Sequence, residues 1–167
     1  MMLSDAPAER AILAGICRYG SKAYHDVGDL IGTNSFTIES NSMIYACLKH
    51  IMDKEINIDI DLPTILSSAK EIGLHDLVSN KEEVQHLSGI MKFPILLGNV
   101  RKMAVKVRKL QIARMMYDQL ETTKIVIHKL GVTNQYRKYL VLPKRPFLIL
   151  RLFSTIAMML LKKYFKT

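Results

Sequence analysis

Asp59 and Asp61, two carboxylates one residue apart in I-N-I-D-I-D-L-P-T-I, are the arrangement in this chain most open to an acid–base reading. A working pair would need one acid and one base held around a substrate. Asp61 stands directly before Leu62-Pro63, where a helix N-cap is the simpler role, and Asp59 alternates with isoleucines as a solvated residue. His25, His50, His75, His86 and His128 form no ligand spacing of the H-E-x-x-H kind. Cys17 and Cys47 each lie inside an apolar helical run and read as buried free thiols, with no disulfide framework or metal spacing around them. The nearest approach to a phosphate-binding loop, Gly20-Ser21-Lys22, lacks the preceding glycine and the strand that such a loop needs. The ten methionines fall mostly at helical core spacing. The expectation is a chain with no catalytic residue, no cofactor, no metal and no ATP hydrolysis.

The elements that would position any functional surface are helical. The clearest runs from Asn99 to Glu121. Val100, Met103, Val107, Leu110, Ala113, Tyr117 and Leu120 recur there at steps of three or four, forming one apolar face. Arg101, Lys102, Lys106, Arg108, Lys109 and Arg114 fill the other sides. An isolated amphipathic helix cannot bury its own apolar face, so a hairpin mate or a second subunit is expected against it. Val100, Met103, Val107, Leu110, Tyr117 and Leu120 are therefore the candidate oligomer interface. Arg101, Lys102, Lys106, Arg108 and Lys109 are candidate phosphate contacts, set below a solvated face because no interleaved aromatics offer bases a stacking platform.

Upstream, the pattern predicts five short helices. Ser4 or Asp5 caps the first, which runs through Glu9–Tyr19 to Gly20 with Pro7 in its first turn. The second covers about 23–31, with Phe36 in the core beyond it, and the third about 40–54. Ile56, Ile58 and Ile60 alternate like a strand, but too few other strands exist for a sheet, so they read as an extended connector. Asp61 caps a fourth helix to Ile72, stopped by Gly73, and Ser79 or Asn80 caps a fifth over about 81–92. The fold class is all-α: a compact helical head at 1–95, a long amphipathic helix at 96–121, and a tail at 122–167.

Charge separates the tail from the rest. The formal charge of +9 would point to nucleic acid or an anionic membrane if it were spread evenly. It is not: residues 1–121 hold all 15 acidic residues and 14 Lys/Arg, whereas 122–167 hold 10 Lys/Arg and no acid. Asp5, Glu9 and Arg10 interrupt any apolar leader, so a cytoplasmic location is expected.

The order of features resembles the N-terminal domain of hexameric replicative DNA helicases, the DnaB-like family, and its phage versions in particular. The resemblance is carried by P-A-E-R-A-I-L-A-G-I (7–16), N-S-F-T-I-E-S-N-S-M-I-Y (34–45), I-D-I-D-L-P-T-I (58–65) and N-V-R-K-M-A-V-K-V-R-K-L-Q-I-A-R (99–114). One departure is Asn41-Ser42, where bacterial members often place His-Arg. The resemblance implies a non-catalytic helical head followed by a helical hairpin, with 99–121 as its first arm. It also implies that such heads pair into a collar over a motor ring, docking a primase or a loader, in the cytoplasm of a bacterium or a phage-infected cell. DNA would then be met only through the whole helicase, and the motor that hydrolyses ATP lies outside this chain.

The family's second arm and linker helix are rich in acids, unlike 122–167. Reading that stretch in another frame, with AT-leaning codons, Thr133–Leu150 can become K-S-V-S-Q-I-L-G-I-A-E-K-A-I-F-D-F, which is similar to the family's linker helix. The tail is therefore read as out-of-frame translation that truncates a helicase. The alternatives are a small nucleic-acid-binding or membrane-associated protein acting through the tail. Phe147–Leu161 is apolar, but a span needs about 20 such residues. Arg151 within it would cost about 2.5–3.5 kcal/mol at a bilayer centre. Interfacial attachment is the stronger form of the membrane alternative.

Overall fold

The computed structural model of the chain describes residues 3–54 and 58–129, and all regular structure among them is helical. The elements are α1 (Ala6–Tyr19), α2 (Ser21–Val27), a 3-10 turn at Thr33–Ser35, α3 (Glu39–Lys54), α4 (Leu62–Glu71), α5 (His75–Ser79), α6 (Lys81–Met91) and α7 (Leu97–Lys129). Residues up to Gln119 form one compact unit and those from Leu120 onward a second. In the second unit the described part is the last stretch of α7.

The helix boundaries follow local chemistry. Asp5 rather than Ser4 caps α1, its carboxylate accepting from Ala8 N at 2.9 Å. Asp61 caps α4 by accepting from Thr64 N and Thr64 Oγ1 at 2.8 and 2.5 Å, and Asn80 rather than Ser79 caps α6 through Glu82 N. Asp61 thus has the structural task expected of it, as the cap of α4. Gly73 ends α4 with φ 77°, a left-handed backbone that L side chains disfavour. The turn closes with Leu74 N donating to Ala69 O and Gly73 N to Lys70 O, so the chain reverses straight into α5. That helix was not expected from sequence. Its five residues are too few to show a period, yet Leu77 within it is fully buried. The second helix stops at Val27, earlier than its pattern suggests, and a turn carries the chain on to Ile31.

One core joins these elements. Ile12, Leu13 and Ile16 of α1, Ile44 and Leu48 of α3, Ile65 of α4, Leu87 and Ile90 of α6, and Val100, Ala104 and Val107 of α7 are all buried in it. Phe36 is buried as expected, its ring 5.1 Å from that of Tyr45. Of the alternating isoleucines, Ile58 and Ile60 rest half-buried against the core in a segment without regular structure, while Ile56 lies outside the described residues. Cys47 is buried and Cys17 nearly so, and both are free thiols. Burial pushes them up to about 11 and about 12.

The long helix is longer than expected, starting at Leu97 and continuing past Glu121 to Lys129. The change in composition after Glu121 carries no stop signal, since the first glycine beyond it is Gly131. The remainder of the basic tail, including Phe147–Leu161, lies outside the described residues.

Candidate functional site

The first half of α7 is built into the head. Gly15 of α1 makes this possible: a Cβ added there would lie 2.5 and 2.8 Å from the two γ-carbons of Val100, so only glycine lets the helices approach this closely. Val100 and Val107 are 0% and 1% exposed, Met103 packs against the same core, and Leu110 is half-buried. The candidate interface must be corrected accordingly. Val100 and Val107 face the chain's own core because the head, not a second subunit, covers the proximal half of the stripe.

Polar contacts fix the register of this docking. Gln111 is buried; its Oε1 accepts from Ser35 Oγ at 2.9 Å and from Arg108, and its Nε2 donates to Asn34 Oδ1. Arg114 donates to the carbonyls of Leu3 and Ser35 at 2.7 Å each, tying down the N-terminal segment and the 3-10 turn together. Arg101 grips Asp29 with two parallel bonds of 2.9 Å, and its guanidinium holds the Asp29 carboxyl below the usual range. Lys106 pairs with Asp5 and lowers that carboxyl likewise.

These pairings also bear on the candidate phosphate contacts. Arg101, Lys106 and Arg108 are engaged within the chain, and Lys102 reaches Asn99 Oδ1 at 3.3 Å. Lys109 is exposed, with no polar partner among the described residues. A nucleic acid would have to compete for most of this set rather than find it open.

A second polar centre sits where α1, α3 and α6 meet. Glu9 is 1% exposed and accepts from Thr37 N at 2.8 Å, Thr37 Oγ1 at 2.5 Å, Ile38 N at 3.4 Å and Asn41 Nδ2 at 2.9 Å. It is in effect the cap of α3, supplied by another helix to the positive end of the α3 dipole. Asn41 Oδ1 in turn meets Nε2 of His86 at 2.9 Å, and Ser40 donates to Glu83. Burial holds His86 below its ordinary value, with Arg10 adding to the effect. Sequence reasoning passed over Glu9 and Asn41 because neither shows a local partner; their bonds span from 28 to 45 residues.

What remains outward is the far half of α7. Among the described residues, five of the six exposed large hydrophobics fall between Met115 and Ile125: Met115, Met116, Tyr117, Leu120 and Ile125, the sixth being Leu96. Tyr117 and Leu120 were in the candidate interface and are 58% and 57% exposed. Met115, Met116 and Ile125 were missed, although Met116 lies four residues before Leu120 and so on its face. The exposed apolar side chains are thus concentrated on one stretch of one helix rather than scattered. Among the described residues no group of acidic, histidine or cysteine side chains is placed to hold a metal, and no helix is long and apolar enough to cross a membrane.

The family model of the DnaB-like helicase N-terminal domain matches residues 1–109. The crystal structure of the N-terminal domain of DnaB helicase from Mycobacterium tuberculosis has a similar fold, with a TM-score of 0.64 at 15% identity, over 81% of this chain and 93% of that one. No curated protein sequence matches the chain.

Proposed function

The chain belongs to the DnaB-like helicase N-terminal domain family, and from that premise we propose that the distal half of α7 is the surface through which its copies associate. The domain is the non-catalytic assembly and interaction part of a replicative helicase, and the chain carries no ATPase motor. A collar of such heads would dock a primase or a loader in the cytoplasm, reaching DNA only through the complete helicase. The observation that carries the reading is the division of α7. Its proximal apolar residues serve the head's own core, while Met116, Tyr117 and Leu120 remain exposed in a row that a partner helix would cover.

Association through this row needs no rearrangement of the head, because the residues concerned take no part in its core. Sedimentation equilibrium of the full chain tests the reading. Average mass should rise with concentration toward a dimer or higher assembly. A monomer at every concentration reached would refute it.

A further inference from the structure

We propose that Met115 and Met116 make this association sensitive to oxidation, so that peroxide disassembles what α7 holds together. The inference rests on the reading that the distal face of α7 binds a second copy. Met115 and Met116 are 59% and 54% exposed, whereas Met52 is buried and Met43, Met91 and Met103 are half-buried. The two accessible thioethers among the described residues thus lie on the proposed contact helix, Met116 one turn from Leu120. The cysteines do not compete, because buried thiols that stay protonated at neutral pH react slowly.

The step is an oxygen-atom transfer. The methionine sulfur attacks one oxygen of hydrogen peroxide, an S–O bond forms and the O–O bond breaks. The proton of the transferred hydroxyl leaves with the departing hydroxide as water. Sulfur loses two electrons and peroxide gains them. The sulfoxide is polar and chiral where the thioether was apolar and pliant, and reductases reverse the change. Covering it with a partner helix takes the strongly hydrated sulfoxide oxygen out of water, which weakens association by about tenfold. Association in turn shields the sulfurs, so their oxidation slows as protein concentration rises.

The test uses the full chain treated with hydrogen peroxide, with sulfoxides located by mass spectrometry and association measured by sedimentation before and after. A Met115→Leu/Met116→Leu variant is treated in parallel; it retains Met1, Met2, Met158 and Met159 as oxidisable controls. Expected are sulfoxides at 115 and 116 ahead of Met52, an association constant of the native chain lowered about tenfold by treatment, and a variant whose own association constant, whatever its untreated value, is the same before and after treatment. Unchanged association of the native chain despite both sulfoxides would overturn the proposal, as would an equal loss in the variant or no sulfoxide at these positions. An untreated chain that is monomeric throughout would instead remove the interface reading, and this inference with it.

Discussion

Glu9 is the residue on which the head's inner polarity turns. Its carboxylate satisfies two backbone N–H groups ahead of α3 and the amide of Asn41. Replacing it with alanine leaves the buried Asn41 amide and the two part-buried backbone donors without their acceptor, so Glu9→Ala should cost roughly 1–3 kcal/mol in urea unfolding. Glu9→Gln, which keeps acceptor capacity on one oxygen, should cost less. Equal stability of all three proteins would contradict the capping role. His86 sets a pH dependence of its own. Burial holds its folded value below 6.5, so the unfolded chain binds the proton more readily. Its share of stability is complete above 6.5 and is lost as pH falls through the window just below that value. Asp5 and Asp29, held below 3.8 by Lys106 and Arg101, lose theirs only as pH falls below 3.8. Thermal melts from pH 7 to 5 should therefore show an early decline that His86→Gln removes; a variant declining in step with the native chain would assign it elsewhere.

At the scale of elements, the joint between α1 and α7 decides how the molecule is divided into core and surface. Gly15→Ala brings a Cβ against Val100 and should cost about 1–3 kcal/mol by overpacking. Coupled with Val100→Ala, the same change should cost less than the sum of the two single substitutions, because each makes room for the other. Strict additivity in a double-mutant cycle would mean the helices do not meet there. This joint also explains what the sequence concealed. Periodicity revealed α7 and its apolar face, and caps at Asp5, Asp61 and Asn80 revealed where helices begin. Periodicity does not say which partner covers each stretch of a face. That depends on Gly15, eighty-five residues away, and on Gln111 and Arg114, whose partners are visible only in three dimensions. The helix α5 escaped because five residues carry no period, and Glu9 because its cap is non-local.

At the scale of the whole molecule, a near-neutral helical domain is followed by a strongly basic stretch with no acid after Glu121. Continuation of α7 to Lys129 carries the helix across that change in composition. The out-of-frame origin of residues from about 122 onward stands as a proposal that sequencing the encoding DNA beyond Thr167 decides. A shifted frame that opens into a linker helix and a phosphate-loop motor would support it, and an early stop in that frame would make the basic tail genuine.

The division of labour along α7 is tested most directly by sedimentation velocity and thermal melting of two variants beside the native chain, Val107→Asp and Leu120→Asp. Val107 is sealed in the head and Leu120 is 57% exposed, so the same chemical change meets two different environments. Leu120→Asp should abolish concentration-dependent association while leaving the melting temperature within a few degrees of the native value. Val107→Asp should instead lower head stability by several kcal/mol, since it buries an unpaired charge. Native association in Leu120→Asp, or a stably folded Val107→Asp that fails to associate, would place the interface on the proximal half and contradict the assignment made here.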